Sequence, residues 1–158
     1  MRKVFAILLI VWASILIQRQ GLFAQIKTYS FEKIDSLQNV QNKNVVVFIY
    51  TDWCKYCQTM KNTTFKNDSV IELLNNKFYF IKLNAEEKEN ITFNNYTFKY
   101  KPTGVNTGTH ELANQLGTIN NEISYPTICV LNTNKEIIFQ HPNYINHLDL
   151  KKILLKLQ

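Results

Sequence analysis

Residues 45–57 decide the fold of this chain, and they read VVVFIYTDWCKYC. The first six of these residues are apolar and mostly β-branched or aromatic, which is typical of a strand buried on both faces. Thr51 and Asp52 end the strand, and the stretch from Cys54 to about Thr64 contains neither glycine nor proline. This second stretch is therefore predicted to be a helix that begins at the first cysteine.

The two cysteines, Cys54 and Cys57, would lie at the N-terminal end of that helix. Unpaired backbone N–H groups and the positive end of the helix dipole stabilise a thiolate there, so Cys54 is predicted to be a reactive thiol. The spacing of three residues places Cys57 on the same helical face, close enough to form a disulfide with Cys54. Lys55 would add positive charge beside the thiolate and so tune the acidity of the thiol.

A strand followed by Trp53-Cys54-x-x-Cys57 and a helix resembles the active site of the thioredoxin superfamily. Tyr125-Pro126-Thr127 strengthens the resemblance, because it lies about 70 residues later and precedes another apolar run. In thioredoxin-like proteins a cis-proline at the start of such a strand faces the cysteine pair. The resemblance extends from about Val45 to the C-terminus, and within the family the chain looks most like secreted thioredoxin-like proteins.

The resemblance implies a role for each residue of the two motifs. Cys54 would attack a disulfide of a partner protein as the nucleophile, and Cys57 would resolve the mixed disulfide, so that the two form a redox-active disulfide. Trp53, Tyr125 and Pro126 would contact the substrate polypeptide. No cofactor is expected for this exchange.

The cysteine pair has two other interpretations, a structural disulfide and half of a zinc site. A zinc site needs two further ligands, and the remaining candidates, Cys129, His110, His141 and His147, show no ligand spacing. We therefore expect no metal. Cys129 lies in the middle of an apolar run and is expected to be a small buried side chain without a redox role.

The sequence departs from the family pattern at two places. Many thioredoxins carry a buried Asp six residues before the first cysteine, where it takes part in proton transfer with the second thiol, and Phe48 occupies that position here. Asp52 is an acidic alternative nearby, although we expect it at the surface. Lys55-Tyr56 also replaces the Gly-Pro of cytosolic thioredoxins. Both departures leave the reduction potential and the direction of transfer open.

The N-terminus has the layout of an export signal. Arg2 and Lys3 precede the apolar run Val4–Ile17, which predicts a signal peptide over residues 1–24 with cleavage after Ala24. The apolar run is shorter than the roughly 20 residues of a membrane span, and an uncleaved anchor is the alternative. Either interpretation places a domain of residues 25–158 in the periplasm or outside the cell, where disulfide chemistry is possible.

The composition fits one globular domain. Hydrophobic residues make up 46% of the 158 residues, which is enough for a core. The net charge of +6 falls to +3 without the three basic residues of the N-terminal segment. The basic residues do not cluster with aromatic residues, so no nucleic-acid partner is expected.

The remaining sequence predicts an α/β, thioredoxin-like fold, in which a central mixed sheet is flanked by helices. Helices are expected over residues 30–41, 70–74, 110–116 and 147–157, strands over 78–83, 127–131 and 136–140, and a hairpin over 91–98. Ser30 is expected to cap the first helix. The expected buried face of the last helix comprises Leu148, Ile153, Leu154 and Leu157.

Residues 84–124 form an insertion before the cis-proline strand, since they are more than a minimal thioredoxin needs. One interpretation is a surface elaboration that packs on the sheet edge, and the other is a partner-binding rim beside the cysteines. We favour the surface elaboration, because most insertions are tolerated surface structure.

These observations predict an exported thiol–disulfide oxidoreductase that acts on protein disulfides. The resemblance favours a reductant, because similar exported proteins are commonly kept reduced by a membrane thiol transporter, which would be the electron donor. A disulfide oxidase or isomerase is the alternative among enzymes. A binding module that holds partners with an exposed Trp53–Tyr125 face is the alternative of another class.

Overall fold

The structure is a computed structural model that describes residues 25–158, so the predicted signal segment lies outside the described residues. The α-helices of this part are α1 (Ile34–Val40), α2 (Lys55–Asn62), α3 (Asp68–Lys77), α4 (Glu111–Gly117) and α5 (His147–Lys156). The strands are β1 (Asn44–Tyr50), β2 (Phe78–Asn84), β3 (Ile91–Phe93), β4 (Tyr96–Phe98), β5 (Tyr100–Pro102), β6 (Gly108–His110), β7 (Thr118–Ile119), β8 (Glu122–Ile123), β9 (Thr127–Leu131) and β10 (Ile137–Pro142).

Four strands form the central sheet in the order β10-β9-β1-β2. β1 runs parallel to β2 and antiparallel to β9, and β10 is antiparallel to β9. The sheet is therefore mixed, as the sequence predicts. An isolated parallel bridge joins Thr28 to Phe80, so the start of the described chain lies along the outer side of β2.

β1 occupies an inner position because all of its central side chains are apolar. Residues 45–49 are buried, as a strand covered on both faces requires. Val46 and Phe48 face the layer that contains α2, α3 and α5, whereas Val45, Val47 and Ile49 face the opposite layer. The strand thus supports two apolar layers and ends at the cysteine motif.

A side-chain cap is present at the start of α3 but absent at the first helical segment, where Ser30 was expected to provide one. The side chain of Asn67 accepts hydrogen bonds from the backbone N–H of Ser69 and Val70 and so caps α3. The helix continues to Lys77, beyond the predicted end at residue 74. Ser30 makes no capping hydrogen bond, and the first helical segment begins instead with a 3₁₀ turn over residues 31–33.

The buried face of α5 differs from the prediction at two positions, since Leu148 is exposed and Leu150, which was not predicted, is buried. Leu148 is 59% exposed, whereas Leu150 and Leu154 are buried and four residues apart. The side chain of Asn146 caps the helix through the N–H groups of Leu148 and Asp149. Leu148 precedes the buried Leu150 by two residues, so it lies on the opposite side of the helix. The expectation that Leu148 belongs to the core was therefore wrong.

Residues 84–124 contain three hairpins, of which the sequence predicted only β3–β4. Its turn is formed by Asn94 and Asn95, both with positive φ, the conformation that a tight hairpin turn requires. The pairs β5–β6 and β7–β8 were not predicted, and Asn120 and Asn121 form the turn of the second pair, again with positive φ.

This segment covers one face of the sheet. Phe93, Phe98, Leu112 and Leu116 are buried in the same apolar cluster as the β1 residues of that face. The preferred interpretation as a surface elaboration at the sheet edge was therefore wrong for these side chains, because they form core. No helix within residues 25–158 combines the length and the hydrophobicity needed to cross a membrane.

Candidate active site

The cysteine pair lies where β1 gives way to α2. Cys54 has extended backbone angles and is the N-cap residue of α2, and its Sγ accepts a hydrogen bond from the backbone N–H of Cys57 at 3.1 Å. The two residues are joined by a disulfide with a Cα–Cα separation of 5.2 Å, within the usual range. The first turn of α2 therefore directs the N–H group of Cys57 at Cys54 Sγ, an arrangement that stabilises a thiolate.

Both cysteines are buried, and Cys57 is the more completely enclosed. Cys54 is 5% exposed, whereas Cys57 is fully buried. Cys57 lies in an apolar cluster with Phe48 and Met60, and Phe48 contacts the ring of Phe65 edge to face at 4.9 Å. The position that carries a carboxylate in many thioredoxins is thus filled here by a packed aromatic ring.

The Tyr125–Pro126 peptide bond is cis, as the resemblance implies. The next residue, Thr127, lies opposite Ile49 in the β1–β9 register, so the proline sits at the end of the sheet where the cysteine motif begins. Tyr125 packs against both apolar clusters, including the one that holds both cysteines. The sheet register therefore brings together two motifs that are far apart in sequence.

Each cysteine of the pair is preceded in the chain by a large exposed aromatic residue. Trp53 is 68% and Tyr56 is 67% exposed. The ring of Trp53 lies edge to face with Tyr125 at 6.2 Å between centroids, and its Nε1–H donates to Glu86 Oε1 at 3.0 Å. Burial raises the pKa of Tyr125, and the negative charge of Glu86 raises it further. The contacts with Tyr125 and Glu86 therefore fix the orientation of the exposed indole of Trp53.

Two surface residues around the cysteine motif, Tyr56 and Glu86, were not predicted from the sequence. Tyr56 was noted only as a difference from the Gly-Pro of other thioredoxins, although its place between the cysteines is a sufficient signal for a surface role. Glu86 is 33 residues from Trp53, its hydrogen-bond partner, and no local pattern indicates a contact of that range.

The charged residues next to the pair lie at the surface. Lys55 is exposed at the first position of α2, and no carboxylate lies within 4 Å of its ammonium among the described residues. Asp52 is exposed, as expected, and its carboxylate accepts a hydrogen bond from Asn84 Nδ2 at 3.1 Å. An exposed anion therefore lies just after β1 and an exposed cation at the first residue of α2.

Cys129 is in a different environment. It is fully buried in β9 within the cluster on the opposite face of the sheet from the cysteine pair. Burial raises the pKa of its thiol to about 12, so it stays protonated at neutral pH. Within residues 25–158, no three His, Cys, Asp or Glu side chains are grouped as a metal site would require.

A mixed four-stranded sheet with helices on both faces, a cysteine pair at a helix N-terminus and a cis-proline beside it define a thioredoxin-fold protein. The family model of the thioredoxin-like domain matches residues 32–158, and the chain belongs to this family. The fold together with the Cys-x-x-Cys disulfide fits a thiol–disulfide oxidoreductase.

Solved structures support the fold. A structure described as DsbH oxidoreductase has a TM-score of 0.59 at 13% identity, covering 89% of this chain and 91% of that chain. A thioredoxin from Thermus thermophilus has a TM-score of 0.58 at 17% identity, covering 84% and 86%. The C-terminal domain of DsbD from Neisseria meningitidis has a TM-score of 0.52 at 14% identity, covering 80% and 92%. Among proteins with curated descriptions, none matches this sequence significantly.

Proposed function

We propose that this protein is an exported reductant of protein disulfides that works through Cys54 and Cys57. The observation that carries the proposal is the disulfide at the N-terminus of α2, whose first sulfur faces a helix N-terminus while the second is buried behind it. A purely structural disulfide needs neither a helix N–H group at one sulfur nor large exposed aromatic side chains next to it in the chain.

The exchange proceeds in two steps that conserve electrons. The Cys54 thiolate attacks one sulfur of the partner's disulfide, the partner's S–S bond breaks, and the leaving thiolate takes a proton from water. Cys57 then loses its proton and attacks Cys54 Sγ, which closes the disulfide and releases the second partner sulfur. Two electrons pass to the partner, whose disulfide is reduced to two thiols.

The local geometry supplies what the first step requires. The N–H of Cys57 at 3.1 Å from Cys54 Sγ stabilises negative charge on that sulfur. The exposed Lys55 adds a positive charge at the same end of α2. Phe48 replaces the family's buried carboxylate, and Cys57 lies in an apolar cluster, so no carboxylate at that position takes the Cys57 proton.

The partner polypeptide would lie against Trp53, Tyr56, Tyr125 and Pro126. The two most exposed of these side chains, Trp53 and Tyr56, offer apolar surface beside the nearly buried Cys54. Large exposed aromatic side chains that lie together are typical of interaction sites. This arrangement favours a polypeptide substrate over a small disulfide.

Export and the direction of transfer rest on the sequence. The basic residues and apolar run of residues 1–24 have the layout of a signal peptide, and the resemblance to exported thioredoxin-like proteins implies a membrane thiol transporter as electron donor. Mass spectrometry of the protein purified from its host tests the first point, since cleavage after Ala24 leaves Gln25 as the first residue.

Trapping of mixed disulfides tests the exchange itself. In the Cys57→Ser variant the second step is blocked, so partner proteins accumulate on Cys54 as adducts that dithiothreitol releases. A Cys54→Ser variant is the matched control, and we expect it to form no such adducts. A binding module would give no dithiothreitol-sensitive adducts and would keep its partners after loss of both thiols, which would refute the proposed function.

A further inference from the structure

Three lysines line one cavity of about 170 Å³ beside the cysteine helix: Lys61, Lys66 and Lys82. They come from different elements, since Lys61 belongs to α2, Lys66 to the 3₁₀ turn Thr64–Lys66 and Lys82 to β2. We call them the lysine surface. Phe65 and Ile71, both buried, form part of the same cavity wall.

The lysine surface begins close to the cysteine pair. Lys61 follows Cys57 by four residues and Cys54 by seven, so it lies roughly 6 and 10 Å further along the axis of α2. Because Cys57 is fully buried against the sheet, Lys61 lies at the border of the packed face, where its side chain reaches the surface. The ammonium of Lys61 lies 3.5 Å from the ring centroid of Tyr50, and Tyr50 packs against the cluster that holds both cysteines.

Within residues 25–158, no carboxylate lies within 4 Å of the three ammonium groups of the lysine surface. The ion pairs found within residues 25–158 use other lysines, namely Lys101, Lys135 and Lys152. Burial lowers the pKa of Lys61, the negative charge of Asp52 opposes this shift, and the positive charge of Lys82 adds to it. Like charges held near each other attract an anionic ligand.

From this placement we infer that the lysine surface binds an acidic segment of the partner protein while the partner's cysteine engages Cys54. The inference rests on the proposed function and names the class of partner. An extended polypeptide advances about 3.3 Å per residue, so the roughly 10 Å between Cys54 and Lys61 along α2 corresponds to about three residues. With the reach of a lysine side chain, the acidic residues lie about three to five positions from the partner's cysteine.

A continuous polypeptide fits these observations better than a small anion. A phosphate ion in the cavity would neutralise the lysines without any connection to the cysteines, whereas a polypeptide links the two sites. The excess of 15 basic over 12 acidic residues after position 24 also favours an acidic partner.

Reduction of designed peptides tests the inference. The probes are three substrates for the reduced protein: a disulfide peptide with Glu three to five residues from each cysteine, the same peptide with Lys at those positions, and the neutral disulfide of 2-mercaptoethanol. We expect the Glu peptide to be reduced about tenfold faster than the Lys peptide at low ionic strength, with the ratio falling towards one in about 0.5 M NaCl.

Two triple variants with equal charge separate the lysine surface from the net charge. The first triple variant carries Lys61→Gln, Lys66→Gln and Lys82→Gln. It should lose the preference for the Glu peptide but still reduce the neutral disulfide at the wild-type rate. A control triple on α3 and α5 should keep the preference; it carries Lys77→Gln, Lys151→Gln and Lys156→Gln. If the first triple fails to fold, the Lys66→Gln and Lys82→Gln double variant, which leaves the Lys61–Tyr50 contact intact, makes the same test with a smaller loss.

Three results would overturn the inference. The first is that the wild type reduces the Glu and Lys peptides at the same rate. The second is that both triple variants lose the preference for the Glu peptide to the same extent. The third is that the lysine surface binds phosphatidylglycerol vesicles while the protein shows no preference between the peptides. If the wild type reduces no disulfide at all, including the neutral one, the proposed function itself fails, and that outcome is distinct from the other three.

Discussion

The two faces of the central sheet use the same strands but place their cysteines in opposite chemical situations. On the α2 face, the disulfide sits at the end of β1, against helix N–H groups and the exposed ring of Trp53. On the other face, Cys129 is enclosed in the middle of β9 by the apolar side chains of the 84–124 segment and the sheet. Three cysteines of one chain therefore divide into a pair suited to exchange and a single thiol suited to packing.

The difference arises from strand alternation. Ile128 and Val130 of β9 face the layer with the cysteine pair, and Cys129 between them faces away from it. Successive side chains of a strand point to opposite faces, so the register of β9 alone keeps the third thiol apart from the pair. The position of a cysteine relative to a helix N-terminus, together with its surroundings, therefore determines whether its thiol can take part in disulfide exchange.

The largest expected contrast is in alkylation of the reduced protein. At about pH 7.5 iodoacetamide should modify Cys54 while Cys129 reacts at least about 10³-fold more slowly, because the pKa of Cys129 is raised to about 12 and its thiolate is scarce. Peptide mass spectrometry over time measures both rates. Comparable rates in the native protein would remove the distinction between the two faces, and modification of Cys129 after addition of urea is the positive control.

The next effect concerns stability. Phe93→Ala should lower the free energy of unfolding by about 3–4 kcal/mol, because the ring is buried and lies edge to face with Phe31 at 5.0 Å. Urea denaturation gives this value. The matched control is Tyr96→Ala on the same hairpin, where the side chain is 57% exposed and a loss below about 1 kcal/mol is expected. The folded Phe93 variant should still reduce a small neutral disulfide, since the cysteine pair lies on the other face.

The buried histidine of the 84–124 face should make stability depend on pH. Burial lowers the pKa of His110, and its Nδ1 accepts the N–H of Leu112 at 3.2 Å, which caps α4 and requires the neutral ring. The folded state thus binds a proton less readily than the unfolded chain. The stabilisation is complete above the unfolded pKa of about 6.5 and is lost as the pH falls below it.

Urea denaturation at about pH 7.5 and pH 5 measures this dependence. The His110→Asn variant keeps a capping acceptor but has no titrating group, so it should lose less stability than the wild type between the two pH values. Equal losses would show that carboxylates such as Glu111, rather than His110, account for the pH dependence.

The smallest expected effect concerns partner contact. Tyr56→Ala should raise KM for a protein disulfide by about fivefold, equivalent to about 1 kcal/mol, without changing the rate with a small disulfide. Tyr144→Ala, at an exposed tyrosine far along the chain from the motif, is the control. An equal change with both substrates would mean that Tyr56 acts on the chemistry of the cysteines instead of on docking.

The position of the cysteine pair could be predicted from the sequence because the residues that determine it are neighbours in the chain. Six apolar residues, a turn and a helix start fix where Cys54 and Cys57 lie, and the Tyr-Pro-Thr motif indicates the strand beside them. The opposite face could be predicted only in part. The strands β5 to β8 have two or three residues each, too few for a period of two to be recognised.

Two further misses have physical causes. The turn at Asn120 and Asn121 uses left-handed backbone angles that asparagine tolerates, but asparagine is so frequent in this chain that it gave no distinct signal. The contact of Trp53 with Glu86 depends on how the loop after β2 returns to the cysteine motif, which is a tertiary property. Leu148 was misassigned because it lies two residues before Leu150, on the side of α5 opposite to the buried face.

Equilibration of the cysteine pair with glutathione tests the central claim most directly. The fraction of the Cys54–Cys57 disulfide is measured by acid quenching and thiol labelling over a series of ratios of reduced to oxidised glutathione. We expect a reversible two-electron transition near the potential of thioredoxin, about −270 mV. A pair some 100 mV more oxidising would contradict the proposed reductant, and a disulfide that never titrates would contradict redox function altogether.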